Sequence, residues 1–497
     1  MDQVQQQQQL SPHVLIFPFP AQGHVNSMLK LSELLCLAGI NITFLASYNI
    51  HNRLLRHSNV ISRFSKYPGF NLEHLPDGIN ENNIHTPGGV MELYTALRSI
   101  GRPFLTELLS KDSGDGGKNM PPLTCIIADG ILSVALDVAQ EFGLPVLYFR
   151  TISALAFWAY FCIPQLIEAG ELPFSGNDMD LPIVNVKGME GFLRRRDLPS
   201  FCRVDDLTNP DFNSLLNETL QTPRAKGLIL NTFEDLEGPI LSHIRTHCPN
   251  LYTIGPLHAH LKTRLQVHTL NSNSDSSSYS SNSLWEEDRS CINWLDKQPY
   301  KSVLYVSFGS ITIITREKLW EFWHGIVNSG VRFLWVIRPD LIRAWNDELE
   351  SSNKSTPMQL EEATKERGHM VEWAPQEEVL AHPAVAGFLT HSGWNSTLES
   401  IVEGVPMLCW PYFADQQPNS RFVGEVWKIG LDMKDTCDRR IVEKMIRDLM
   451  VERKDELLHR ADHMAKLARK SIEKGGSSFC NLERLIDDIK SAYFNGC

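Results

Sequence analysis

His391-Ser392-Gly393-Trp394-Asn395-Ser396 groups an imidazole, an indole, an amide and two hydroxyls, with Glu399 one helical turn further on. These side chains supply donors suited to phosphate oxygens and a carboxylate suited to accepting from hydroxyls. Two residues elsewhere could move protons. His24 stands just past the apolar run His13–Pro20, and Asp129 closes the run Leu123–Asp129. Strand-end positions of one parallel sheet converge, so a His–Asp pair is geometrically open. Position alone favours a polar turn residue at His24 over a base. Asp137 is the rival carboxylate, and its place on the following helix favours solvent exposure.

The cluster at 391–396 needs a strand before it and a helix after it. Val385–Thr390 and Val405–Trp410 are short apolar runs of strand length. Between them Leu398, Ile401 and Val402 fall at i, i+3 and i+4, and Gly404 stands where the helix should stop. Such a strand–turn–helix corner aims free backbone N–H groups and the positive end of a helix dipole into a crevice. It is an anion site, most often for phosphate. An ordinary βα turn accounts for Ser-Gly alone, but not for the His, Trp, Asn and Ser around it.

The same alternation runs through most of the chain. After a Gln-rich leader (1–11), His13–Pro20, a helical run with Met28, Leu29, Leu31, Leu34 and Leu35, and Asn41–Ser47 make a βαβ unit. That unit implies a parallel sheet with a crevice at its strand carboxyl ends. Further strands are predicted at Phe70–Pro76, Leu123–Asp129, Leu144–Phe149, Gly227–Asn231 and Leu251–Ile254. Residues 1–257 thus read as one doubly wound α/β domain. Over 258–284 the composition turns to NSNSDSSSYSSNS, too poor in apolar residues to bury a core, which predicts a flexible linker. A second α/β domain (285–474) follows, with strands at Ser302–Phe308, Arg332–Ile337 and His369–Trp373. Past Gly475-Gly476, Leu482, Leu485, Ile486, Ile489 and Tyr493 stripe an amphipathic helix within 475–497. Tyr148, Phe149, Trp158, Tyr160 and Phe161 form an aromatic stretch expected to be mostly core, with one or two rings lining an apolar cleft near His24.

A net charge of −12 and a pI near 5.8 argue against nucleic-acid or anionic-membrane surfaces. Ten scattered cysteines read as reduced thiols. No apolar run approaches the ~20 residues that span a bilayer, and MDQVQQQQQL has no signal-peptide pattern. A cytosolic protein is expected, and the N-x-S/T triplets at Asn41, Asn217, Asn353 and Asn395 then carry no meaning.

Trp373 to Gln416, WAPQEEVLAHPAVAGFLTHSGWNSTLESIVEGVPMLCWPYFADQQ, resembles without a gap the signature box of the plant secondary-product UDP-sugar glycosyltransferases. The resemblance implies the GT-B architecture, two facing Rossmann-like domains, with the final helix packing back on the first. It implies that Trp373 stacks on uracil, with Ala374 and Gln376 beside the base, and that Glu399 accepts from the ribose hydroxyls. His391, Asn395 and Ser396 would donate to the diphosphate, with Trp394 in the same corner. Asp415 and Gln416 would hold the sugar, the terminal Gln pointing to glucose. Ser392 replaces the Cys of many members, a change of little weight for backbone-mediated binding. The family's P-x-x-x-Q/G-H pattern fits His24, and its partner Asp fits Asp129.

The expected enzyme is an inverting UDP-glucose-dependent glucosyltransferase, a monomer acting on a small lipophilic acceptor. The wording around HVLIFPFPAQGHVNSMLKL is similar to members that glucosylate terpenoids, iridoids among them; a phenolic acceptor is the alternative. His24 would take the acceptor proton, Asp129 would orient it, and His391, the 392–396 N–H groups and Ser310 would stabilise the departing UDP without metal or cofactor. Asp178-Met179-Asp180 matches the D-x-D of metal-dependent transferases of another fold, but its loop setting speaks against a metal; Arg194-Arg195-Arg196 reads as a solvated face. A nicotinamide oxidoreductase lacks its G-x-G-x-x-G fingerprint, and a silent nucleotide-sugar binder would lack His24 and Asp129.

Overall fold

The computed structural model describes residues 11–76, 88–112, 120–174, 176, 178–272, 282–339, 365–434 and 436–495. Residues 1–10, the Ser/Asn-rich 273–281 and the Asn353 triplet lie outside them.

Two parallel sheets form the frame. The first holds β1 His13–Phe17, β2 Asn41–Ala46, β3 Phe70–His74, β4 Cys125–Asp129, β5 Val146–Arg150, β6 Gly227–Leu230 and β7 Leu251–Thr253, in the order β3-β2-β1-β4-β5-β6-β7. The second holds β8 Val303–Ser307, β9 Arg332–Val336, β10 Gly368–Val371, β11 Val385–Thr390, β12 Met407–Cys409 and β13 Gly430–Asp432, in the order β10-β9-β8-β11-β12-β13. Helices cover both faces, so the strands read as continuous apolar runs rather than alternating ones. Along β1, Val14 and Ile16 join one core layer while Leu15 and Phe17 join the opposite layer. Each such side chain contributes roughly 1.5–3 kcal/mol by leaving water. The architecture is GT-B, as expected.

Two expectations need correction. Residues Leu257–Ser272 form a helix, not a loop. Leu257 and Leu261 are buried against the helix α1 Gln22–Leu37, with Leu265 half-buried beside them. β13 was not anticipated, because three residues, Gly-Leu-Asp, make no apolar run. The helix Ser477–Asn495 buries Leu482, Leu485, Ile486 and Ile489 in the core of the first sheet, and Tyr252 donates to Asp488 at 2.6 Å. Among the described residues no helix is long and apolar enough to cross a membrane.

Candidate active site

Strand order reverses between β1 and β4 in the first sheet and between β8 and β11 in the second. Crevices open at the carboxyl ends of strands at such points. Both crevices line one cleft of about 990 Å³.

On the first side, Asp129 ends β4 and His24 sits in the first turn of α1. His24 Nδ1 lies 2.5 Å from Asp129 Oδ2. Asp129 is only 1% exposed and also accepts from the backbone N–H of Phe19 (3.2 Å) and Ile131 (3.4 Å). A carboxylate only accepts, so the proton sits on Nδ1 and the lone pair on Nε2. Thr151 Oγ1 lies 3.0 Å from the same Nδ1. Behind the pair, buried Arg150 donates to the carbonyl of Gly130 at 2.8 Å and fixes the turn after Asp129. A Cβ at Gly130 would fall 2.2 Å from Arg150 Cδ, so the turn needs glycine. Asp137 pairs instead with Arg224 on the surface, 3.0 Å away.

On the second side, His391 follows β11 and is wedged between two glycines. A Cβ at Gly309, whose φ is +72°, or at Gly393 would each lie 2.4 Å from its Nε2. Burial first, then the nearby Arg338, pushes His391 down to about 4, so the ring is neutral at pH 7. Arg338 also donates to the carbonyls of Gly309 (2.7 Å) and Thr312 (2.8 Å), holding the turn that carries Ser310 to the cleft. The helix Trp394–Glu403 starts at Gly393 with no side-chain cap, whereas Ser47, Ser153 and Thr315 cap other helices. Its first N–H groups therefore remain available to an anion.

The rest of the 373–416 segment extends from this corner. Gln376 Nε2 donates to Ser396 Oγ (2.8 Å) and Glu399 Oε2 (2.7 Å), which leaves the Ser396 hydroxyl hydrogen free to point outward. Burial pushes Glu399 up to about 7, against the favourable pull of Lys30. Trp373 stacks on Trp285 at 5.6 Å, and the Arg53 guanidinium lies 4.7 Å from the Trp285 ring. Ala374 is buried beside them. Asp415 accepts from Asn419 at 2.9 Å, and burial pushes it up to about 6. Gln416 Oε1 accepts from the backbone N–H of Tyr412 (2.8 Å) and Phe413 (2.9 Å), so its amide is left to donate outward only.

Several roles expected from sequence change. Trp394 is buried and donates its indole N–H to the carbonyl of Asn231 at 2.8 Å, which makes it an anchor of the corner. Asn395 is engaged across the cleft: its Nδ2 donates to the Gly23 carbonyl at 2.8 Å, so at most one amide hydrogen remains for a ligand. Tyr148, Phe149, Trp158, Tyr160 and Phe161 are all core, and the cleft's apolar wall comes from Ile152, Ile311, Tyr412 and Phe413. The arginine run is paired rather than solvated: Arg194 meets Asp197 (2.7 Å), Arg194 and Arg196 each meet Asp180 (2.9 Å), and buried Arg195 lies 3.9 Å from Glu171. The D-x-D carboxylate at Asp180 is thus already engaged by guanidinium. Thr151 and Arg338 were missed, although each follows directly after or near a strand end, a signal that could have found them. Lys30 was missed too; it meets Glu377 of the opposite domain at 2.5 Å.

Comparison with known proteins fits this geometry. Residues 282–453 match the family "UDP-glucoronosyl and UDP-glucosyl transferase", and residues 11–60 match "Glycosyltransferase, N-terminal domain". The chain is 58% identical to 7-deoxyloganetic acid glucosyltransferase of Catharanthus roseus, over 98% of this chain and 99% of that protein. It is 42% identical to Mogroside I-A1 synthase of Siraitia grosvenorii, over 94% and 86%. Its fold superposes on Os79 from O. sativa in complex with UDP, with a TM-score of 0.78, 29% identity, and 96% and 100% of the two chains covered. Medicago truncatula UGT71G1, complexed with UDP-glucose, gives a TM-score of 0.76 at 26% identity over 97% and 98%.

Proposed function

Because the chain belongs to the UDP-glucoronosyl and UDP-glucosyl transferase family, we propose that it transfers glucose from UDP-glucose, with inversion, to an oxygen of a small lipophilic plant metabolite. An iridoid of the 7-deoxyloganetic acid type is the favoured acceptor, in view of the 58% identical relative. The observation that carries the reading is the His24–Asp129 pair, at 2.5 Å, sharing one cleft with the uncapped helix start at Gly393.

Uridine stacks on Trp373 with the ribose hydroxyls donating to Glu399. The diphosphate lies at the Trp394 helix start, taking donations from its N–H groups, Ser396 and neutral His391. Glucose hydroxyls meet Asp415 and the outward Gln416 amide. The acceptor rests on Ile152, Ile311 and Phe413, with its hydroxyl at His24 Nε2. As the acceptor oxygen attacks C1 from the side opposite UDP, its proton passes to Nε2 and Asp129 stabilises the imidazolium. Such a base contributes about 10²–10⁴-fold. Charge growing on UDP is met by dipoles already in place, which supports a reaction needing no added metal. The enzyme works as a cytosolic monomer.

Incubating the protein with UDP-glucose and a panel of iridoids, other terpenoids and phenolics, read by product mass, tests this. A hexose added to an iridoid, undiminished by EDTA, is expected. Donor binding without transfer to any panel member would overturn the acceptor class, and loss of turnover on EDTA restored by manganese would overturn the metal-free mechanism.

A further inference from the structure

The proton-transfer side and the phosphate side belong to different sheets, so something must fix their separation. Asn395 makes the link. Its Nδ2 donates to the carbonyl of Gly23, the residue before His24, at 2.8 Å. Its Oδ1 accepts from Ser27 Oγ at 2.9 Å and from Asn231 Nδ2 at 3.4 Å. The amide orientation follows from chemistry: the Gly23 carbonyl can only accept, so Nδ2 must face it, and Oδ1 is then turned toward Ser27. Ser27 is 2% exposed, one turn along α1 from Gly23, and its single hydroxyl hydrogen has a second acceptor at hand in the Gly23 carbonyl, 3.0 Å away. Without the Ser27 hydroxyl, Oδ1 keeps among the described residues only the long contact to Asn231.

We propose that Ser27 is a positioning residue that acts through Asn395, anchoring its amide oxygen so that the start of α1, and with it His24, is held at a fixed distance from the diphosphate corner. This rests on the function proposed above. The single side chain of Asn395 then serves two ends: one amide hydrogen ties down the loop beside the base, and the other faces the donor. Ser27 touches no substrate. Its effect is registry between the two halves at the base itself, beside the bonds Trp394–Asn231, Ser200–Ala414 and Lys30–Glu377 that join them elsewhere along the cleft; near-attack geometry is sensitive to displacements of an ångström, which can cost about 10²-fold.

The test is a double-mutant cycle on the full chain with UDP-glucose and 7-deoxyloganetic acid, following glucoside and free glucose by mass. Free glucose reports water attacking C1 in place of the acceptor: the bond from C1 to the diphosphate oxygen breaks, the water oxygen bonds C1, and a proton is released. Ser27→Ala is expected to lower kcat about 10-fold or more, leave the KM for UDP-glucose within about twofold, and raise the ratio of free glucose to glucoside. In an Asn395→Ala background the same change is expected to cost less than about twofold, since the group it anchors is gone. A full Ser27→Ala penalty in the Asn395→Ala background, an unchanged kcat in the native background, or a loss confined to donor affinity would each overturn the proposal. Failure of the underlying reading looks different: His24→Ala would then keep its turnover whatever Ser27 does.

Discussion

Donor binding should release a proton, and the residue responsible should be Glu399. Burial raises this carboxyl from 4.5 to about 7 despite its bond from Gln376 at 2.7 Å and the charge of Lys30. A rise of that size makes the charged form roughly 3 kcal/mol harder to hold than in water. The folded chain therefore keeps a proton that the unfolded chain loses above 4.5, and this group's contribution to stability falls as pH rises from 4.5 to about 7. Ribose hydroxyls donate and so prefer the ionised carboxylate, which means that below pH 7 UDP-glucose must expel the proton. Between pH 6 and pH 8 the ionised fraction climbs from about one tenth to about nine tenths, so affinity should rise about tenfold. Titration calorimetry with UDP-glucose, whose diphosphate does not titrate in this range, in two buffers of different ionisation enthalpy counts the proton directly. Glu399→Gln should flatten the profile. Asp415, pushed up to about 6, titrates in the lower part of the window, so Asp415→Asn should keep the rise between pH 7 and 8. An affinity that is flat from pH 6 to 8 in the native protein, or a net proton uptake, would refute the reasoning.

His24→Ala and Asp129→Ala should each lose about 10²–10⁴-fold in kcat while binding UDP-glucose with near-native affinity by calorimetry, because both lie on the first sheet's side of the cleft, across from the 373–416 segment proposed to hold the nucleotide. Gly309→Ala should weaken UDP-glucose binding about tenfold or more and lower Tm, since the added Cβ meets His391 Nε2 at 2.4 Å on a backbone with φ +72°; paired thermal melts and donor titrations check it. Gln416→His should change the ratio of kcat/KM for UDP-glucose over UDP-galactose, because the proposed role of the outward Gln416 amide is to register the sugar's hydroxyls, whereas Asp415→Ala should weaken both donors together.

Much of this site could be read from the chain because its parts sit at strand ends. A strand buried on both faces is a continuous apolar run, so β1, β4, β8 and β11 announced themselves, and the residues just after them were the ones to inspect. What escaped has a physical explanation in each case. The helix Leu257–Ser272 was masked by the polar stretch downstream, although Leu257, Leu261 and Leu265 repeat at i, i+4 and i+8 along it. The arginines at 194–196 looked solvated because Asp180 and Glu171 arrive from turns that no periodicity links, although Asp197, i+3 from Arg194, stood in plain view. Asn395 was read as a phosphate donor alone because its bonds to Gly23 and Ser27 join segments far apart in sequence. Single side chains that bridge two sheets leave no local pattern.

The helix Ser477–Asn495 has a consequence for how the protein is made. The first sheet leaves the ribosome early, yet part of its core, Leu482, Leu485, Ile486 and Ile489, is translated only after the whole second sheet. At about 5–20 residues per second, the nascent first half spends roughly ten seconds or more with the apolar surface behind Tyr252 and Ile254 uncovered. During that interval it is a natural client for chaperones. The two halves are thus bound together by synthesis order as well as by the cleft: the half built on the first sheet reaches its full stability only once the second half has been completed and the last helix has crossed back.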